Sequence, residues 1–282
     1  MKEALKSMIS LLFGGSINGL DLLSKDLNTY STQAHDFVQT VSDKVVFPIA
    51  IAVLSIVMMI ELNRKAVHIE GDHQTGAKLI FGVIFKYILL ATAVKNASML
   101  LEGIRTVINS IAGSDTLKGV ALDPPSTTIT KFNEAVDKAG TIDQVGMLLF
   151  LLIPFLIGLV AKASVSIIIF MRFAELYALT AFAPLPFAFL ANDETKPMGT
   201  NYLKKYVEVC LHGSCIIIAA LLYSKITTDP NGNSPFSLGE LKDQGALTWL
   251  LNNYLPILAA PVLLMMMIFG AGKIAKALSG NG

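Results

Sequence analysis

The sequence predicts an all-α, polytopic membrane protein, and three observations support this fold class. Five long apolar stretches are separated by charged segments, and each is long enough, at about 1.5 Å of rise per residue, to approach or cross a hydrocarbon core of roughly 30 Å. The chain is 53% hydrophobic and only 15% charged, as is typical of a protein solvated largely by lipid. The Lys and Arg residues are also distributed unevenly among the segments between the stretches.

Each apolar stretch is interpreted as one transmembrane helix. Residues 1–44, before the first stretch, are expected to form an extracytoplasmic amphipathic helical region, and 45–282 the transmembrane domain. The five predicted spans are 45–62, 79–101, 147–171, 207–224 and 253–272.

The basic residues predict an orientation, because Lys and Arg are retained on the cytoplasmic side of a membrane. They are denser in 63–78, in 172–206 and in the C-terminal tail than in the remaining segments between the spans. The five-span topology therefore places the N-terminal region outside the cytoplasm and the C-terminus inside.

A six-span topology is the alternative, with 177–191 as an additional crossing. This segment is short for a span, and Pro184 and Pro186 each remove a backbone donor within it. A Pro-broken re-entrant segment fits better, since irregular backbone at membrane depth is tolerated where other protein covers it.

Two amphipathic segments precede the first span. Residues 1–13 form a short one that is suited to lying in the headgroup plane. The second follows a heptad-like pattern over about three repeats. Its apolar positions include Leu20, Leu23, Leu27, Tyr30 and Phe37. This seam either packs on the outer surface of its own chain or forms an oligomer or partner contact.

Three polar residues within or beside the third span are candidate functional residues, because intramembrane charge is costly. Lys162 lies near the middle of the long apolar run and is either a packed residue or one that faces a pore or a partner. Arg172 and Glu175 are three residues apart, on one helix face, and are spaced to form an ion pair.

The sequence contains no pattern that indicates catalysis. The four His and two Cys residues do not cluster at metal-ligand spacing, and no nucleophile elbow is present. We therefore predict a protein that is not an enzyme and that needs no metal or cofactor. The basic residues are spread along the chain, so no sequence-specific nucleic-acid binding is indicated.

The third apolar stretch ends in MRFAELYALTAFAPLPFAFLANDE, at 171–194. Together with the five spans, the N-terminal helix and the short basic tail, this segment resembles the TrbL-type polytopic membrane subunit of conjugative type IV secretion machines. The resemblance implies a channel or scaffold subunit in the bacterial cytoplasmic membrane that oligomerises to form part of the translocation path. It implies that 172–194 lies at the core of the oligomer and that the helix at 20–41 lines its outer face.

The same resemblance implies partners. They are further copies of the chain, a pilin-like subunit outside, an ATPase inside, membrane lipid, and DNA in transit without sequence-specific binding. Two other functions stay open: a small secondary transporter or ion channel that uses Lys162, Arg172 and Glu175 beside a broken helix, and a purely structural scaffold with no conduit.

Overall fold

A computed structural model describes residues 2–13, 23, 27–67, 73–112, 126–227 and 245–280, and the elements in these ranges are helical. In chain order the helices are α1 (Lys2–Phe13), α2 (Leu27–Tyr30), α3 (Thr32–Val41), a π-helical turn (Ser42–Val46), α4 (Phe47–Val67), α5 (His73–Lys95), α6 (Ala97–Ala112), α7 (Ser126–Lys138), α8 (Thr141–Ala181), α9 (Pro184–Phe189), α10 (Lys196–Thr227), α11 (Ala246–Asn252) and α12 (Tyr254–Leu278).

The prediction of a polytopic α-helical membrane protein is confirmed. Four described helices are long and apolar enough to cross a membrane, and a bent pair would make a fifth. The four are Thr32–Ala66, Thr141–Ala181, Lys196–Thr227 and Tyr254–Leu278. Each contains or largely overlaps one of the predicted spans.

The second span, predicted as one helix at 79–101, is bent in the structure. The helix bends by 69° between Lys78–Lys95 and Ala97–Ile111. Asn96 lies at the break, and its side-chain amide donates to the carbonyl of Thr92 at 2.8 Å. An Asn side chain that bonds to nearby backbone offers the chain an alternative to regular helix, which accounts for a break here.

The chain divides into two compact units. Unit 1 comprises Met1–Ser24, Ala112–Met171 and His212–Ile274, and unit 2 comprises Lys25–Ile111, Arg172–Leu211 and Ala275–Gly282.

The core of unit 1 is an apolar cluster contributed by α1, α7, α8, α11 and α12. Its buried members are Leu5, Met8, Ile9, Phe132, Val136, Met147, Leu151, Ala246, Trp249, Leu250 and Ile257. The apolar face of α1 therefore packs inside the unit, where the sequence had suggested a helix free to lie in the headgroup plane. Two side chains of α1 reinforce this packing, because Lys2 donates to the Asp137 carbonyl at 2.7 Å and Lys6 pairs with the Asp137 carboxylate at 2.8 Å.

The Pro-containing segment is buried within unit 2. The short helix α9 begins at Pro184 and packs against α4 and α5. Pro184, Pro186, Phe187 and Ala188 are all buried. A proline at the first position of a helix loses no intrahelical hydrogen bond, so the two prolines are compatible with this short separate helix and with the end of α8 before it.

Candidate functional site

Arg172 is the buried cation of the described part of α8, with 2% of its surface exposed. Its Nε donates to the carbonyl of Val209 at 3.2 Å and its Nη2 to the carbonyl of Cys210 at 3.4 Å. The guanidinium also lies 5.5 Å from the ring centroid of Phe173. Arg172 thus ties the end of α8 to α10 within unit 2.

Glu175 lies one turn further along α8 and is exposed. The ion pair that its spacing suggested is not formed between these two described residues, because the Arg172 guanidinium bonds to carbonyls of α10. The reason is that a three-residue spacing brings two side chains near each other but does not decide which other acceptors compete for the cation.

Lys162 has a contact of a similar kind in unit 1. Its ammonium donates to the carbonyl of Leu11, in the last turn of α1. The final carbonyls of a helix lack partners within the helix, and a cation at the C-terminus also interacts favourably with the helix dipole. The next residue, Leu12, sits so close to Gly158 that a Cβ on that glycine would lie 2.7 Å from Leu12 Cδ2. Lys162 and Gly158 therefore hold the end of α1 against α8.

The predicted N-terminal seam divides between buried and exposed residues. Leu27 is buried, and the Tyr30 ring stacks on Phe173 with centroids 4.0 Å apart. Phe37 is 69% exposed, while the next residue, Val38, is buried. Of the remaining seam residues, Leu23 is buried and Leu20 lies outside the described residues.

The stack of Tyr30 on Phe173 also bears on the topology. Tyr177, one turn further along α8, donates to the carbonyl of Leu27 at 2.7 Å. The segment before the first span therefore lies beside the C-terminal end of the third span. The five-span topology assigns these two segments to opposite sides of the membrane. The distribution of Lys and Arg, from which that topology was inferred, therefore does not predict this contact.

The Pro-containing segment is closely packed against α10. A Cβ on Gly199 would lie 2.6 Å from the carbonyl oxygen of Pro186 and 2.8 Å from Leu190 Cδ2. Tyr202, one turn further along α10, donates to the carbonyl of Leu179. Glycine at position 199 is what allows the backbones of α9 and α10 to approach this closely.

A charged cleft lies in unit 2 where α4 ends. Glu61 accepts hydrogen bonds from the Lys86 ammonium at 3.0 Å and from the Tyr87 hydroxyl at 2.9 Å. Arg64 pairs with Glu194 at 2.8 Å, and both of these side chains are more than half exposed. The cleft has a volume of about 550 Å³ and is lined by Glu61, Arg64, Lys65, Leu79, Lys86, Asn192, Asp193 and Glu194.

The chain matches one family of known proteins. A family model described as TrbL/VirB6 plasmid conjugal transfer like protein matches residues 23–184, which is more than half of the chain. This chain belongs to the TrbL/VirB6 family. No curated protein matches it. The TrbL/VirB6 chain is accordingly a multi-pass membrane subunit of a conjugal transfer or type IV secretion system, a class that acts with other subunits of the system and is not a known enzyme family.

The match covers only part of the features described above. It includes α2 to α8 and ends at Pro184, the first residue of α9. Lys162, Arg172, Glu175 and Phe37 of this TrbL/VirB6 chain lie within it. Asn192–Glu194 of the charged cleft lie beyond it, as does α1.

Sequence reasoning missed Arg105, which is 2% exposed and pairs with Glu102 at 3.0 Å. It borders a small cavity that is also lined by His35, Thr180 and Tyr206. The spacing of the apolar residues could have indicated that Arg105 is buried, because Leu101, Arg105 and Ile108 fall on one face of a helix. Among the described residues, no three His, Cys, Asp or Glu side chains are grouped to hold a metal ion.

Proposed function

We propose that this chain is a channel or scaffold subunit of a bacterial conjugation machine, and that copies of it assemble in the cytoplasmic membrane around part of the translocation path. The observation that supports the proposal is that two intramembrane cations donate to backbone carbonyls of other helices in the same chain. Lys162 donates to the end of α1 and Arg172 to carbonyls of α10, so both hold helices together. A conduit is then a property of the assembly rather than of one chain.

The same observation argues against the transporter alternative. That hypothesis needs Lys162, Arg172 and Glu175 to form one polar site. Lys162 and Arg172 are ten residues apart, about 15 Å along α8, and bond to different elements, while Glu175 is exposed.

An exposed apolar stripe on the first long helix supports assembly. Its members are Phe37, Val45, Ile49, Ile56 and Met59, all at least half exposed. Phe37 and Val45 are eight residues apart, but the π-helical turn between them takes up the equivalent of one residue. The remaining seven residues make about two turns, so Phe37 continues the stripe of α4.

The position of Phe37 favours a protein partner over lipid as the occupant of this stripe. Asp43 and Lys44 are exposed just before α4, which indicates that the helix leaves the hydrocarbon there. Phe37 is six residues further, about 9 Å along the helix, whereas each headgroup layer is only roughly 5–7 Å thick. An exposed aromatic ring at that height is better covered by a second copy of the chain than by lipid.

The test is a matched pair of charge substitutions on α3. Phe37→Asp should dissociate the oligomer in mild detergent and lower plasmid transfer, with membrane insertion and expression unchanged. Thr32→Asp adds the same charge at an exposed position about 140° around the helix, where the N-terminus favours it, and should change neither. An oligomer of unchanged mass in Phe37→Asp would contradict the proposal. Leu27→Asp is a weaker test, because Leu27 is buried and its substitution perturbs folding.

The charged cleft is the surface we assign to a cytoplasmic partner, for which an ATPase is the candidate. Its side of the membrane follows from the density of basic residues, and Lys204 supports it by donating to the carbonyl of Gly280 at 3.2 Å, which joins two segments predicted to be cytoplasmic. With the end of α4 in the cytoplasm, the segment that precedes this span lies outside, and Phe173, which stacks on Tyr30, lies on that side with it.

A charge swap separates partner binding from a structural role of the cleft. An exposed ion pair is worth only about 0–1 kcal/mol, so Arg64→Glu should leave thermal stability nearly unchanged. If a partner binds to the individual charged side chains, Arg64→Glu lowers plasmid transfer, and adding Glu194→Arg does not restore it. Full restoration by the double swap would show that the pair serves this chain alone.

Two further partners are proposed from the resemblance to TrbL-type subunits, and no contact among the described residues bears on them. They are a pilin-like subunit on the outer side and DNA that passes without sequence-specific contacts. Crosslinking in cells that express the whole secretion system tests both.

A further inference from the structure

The helix α6 has an exposed apolar face that the proposed assembly does not use. Its buried face comprises Ala97, Leu101, Arg105, Ile108 and Asn109. A second stripe is exposed or half-exposed and apolar, and its members are Leu100, Ile104, Val107 and Ile111. A third, polar stripe is exposed and comprises Glu102, Thr106 and Ser110.

The position of α6 in the chain indicates what covers the apolar stripe. The helix α5 presents Phe81, Phe85 and Leu89 as exposed apolar side chains, as a lipid-facing span does. It ends at exposed Lys95 and Asn96, and the chain then turns by 69°. A helix that leaves a membrane span at such an angle runs close to the membrane plane.

A contact at the start of α6 indicates the depth of this helix relative to the membrane surface. The hydroxyl of Ser98 lies 3.5 Å from that of Ser42. Ser42 immediately precedes Asp43 and Lys44, the exposed charged residues at which α4 leaves the hydrocarbon. The beginning of α6 therefore lies at a membrane surface.

We propose that α6 is an interfacial helix whose Leu100–Ile104–Val107–Ile111 stripe is inserted among the phospholipid acyl chains at their headgroup boundary. An apolar stripe bordered by a polar one is the pattern of helices that lie in this plane. The third, buried face fastens α6 to unit 2, where the Arg105 guanidinium is enclosed and pairs with Glu102. The surface is thus a lipid-binding one, and it exists in a single chain whether or not copies assemble.

Spin-label depth measurements test this proposal. A nitroxide is placed at Leu100→Cys, Val107→Cys or Ile111→Cys in the full chain, with the native Cys210 and Cys215 replaced by Ala, in vesicles of phosphatidylethanolamine and phosphatidylglycerol. Labels on the stripe should be accessible to oxygen and protected from a water-soluble nickel reagent. The matched control Thr106→Cys, next to Val107 on the polar stripe, should show the reverse.

The depth profile along the helix decides between an interfacial helix and a broken span. Leu100 and Ile111 are about 16 Å apart along the axis, and an inclination of 69° to the span reduces their difference in depth to about 6 Å. A difference near 16 Å would mean that α6 continues across the membrane and would overturn the proposal. Protection of Val107 from both reagents would also overturn it, because a protein neighbour would then cover the stripe.

Discussion

Replacing Lys162 by Met separates a structural from a pore-facing role. The side chain of Lys162 is half-buried, and its ammonium donates to the Leu11 carbonyl. Met retains most of the aliphatic stem and removes the donor. A hydrogen bond from a charged group contributes about 1.5–3 kcal/mol, so α1 should detach roughly ten- to a hundredfold more often.

Hydrogen exchange of the α1 amides is the appropriate assay. Overall stability is a poor readout, because removing a half-buried ammonium also removes its desolvation cost. Exchange of α1 reports the local opening, and we expect it to accelerate by the same factor while the exchange of α10 is unchanged. Lys162→Arg keeps a charged donor and should remain near the wild type.

Two results would refute this reasoning. If α1 exchanges at the wild-type rate in Lys162→Met, then the contact with Leu11 does not hold the helix. If plasmid transfer stops while α1 stays docked, then the ammonium acts on a pore or a partner, as one interpretation of the sequence had it.

Two further perturbations follow from the packing. Gly199→Ala should lower the free energy of unfolding in detergent by about 1–3 kcal/mol, because the added Cβ would meet the Pro186 carbonyl oxygen. The control Gly103→Ala, whose Cβ would have nothing within 4 Å, should be neutral or slightly stabilising. The Asp137 hydrogen bond raises the pKa of Lys6, and the same bond lowers the pKa of Asp137. The contact between α1 and α7 should therefore be at full strength between pH 3.8 and 10.5, weakening as pH falls through the lowered pKa of Asp137 or rises through the raised pKa of Lys6. A distance between labels on α1 and α7 that is independent of pH outside this window would argue against the ion pair.

Hydropathy predicted the long helices well, because apolar length is a local property that lipid exposure requires. The spans at 147–171, 207–224 and 253–272 lie within or nearly within single helices of the structure. The bend at Asn96 was not predicted, since it depends on one side chain bonding to its own helix in the middle of an otherwise periodic stretch. Arg105 was overlooked because its face of α6 becomes a buried one only when other elements pack on it.

The candidate site was predictable as a set of residues but not as a set of contacts. Lys162, Arg172, Pro184 and Pro186 stand out in an apolar sequence because each is costly there. Their partners are backbone carbonyls or tightly packed backbone, and the Lys162 acceptor is 151 residues away in the chain. Backbone acceptors occur at every residue, so no sequence pattern identifies which of them a buried cation will find.

Native mass spectrometry of the full chain extracted in lipid nanodiscs tests most directly the claim that this TrbL/VirB6 subunit assembles with its own copies. The account predicts a closed oligomer of several chains, which Phe37→Asp converts to monomer and Thr32→Asp leaves intact. A wild-type protein that is monomeric in nanodiscs at every concentration would contradict it.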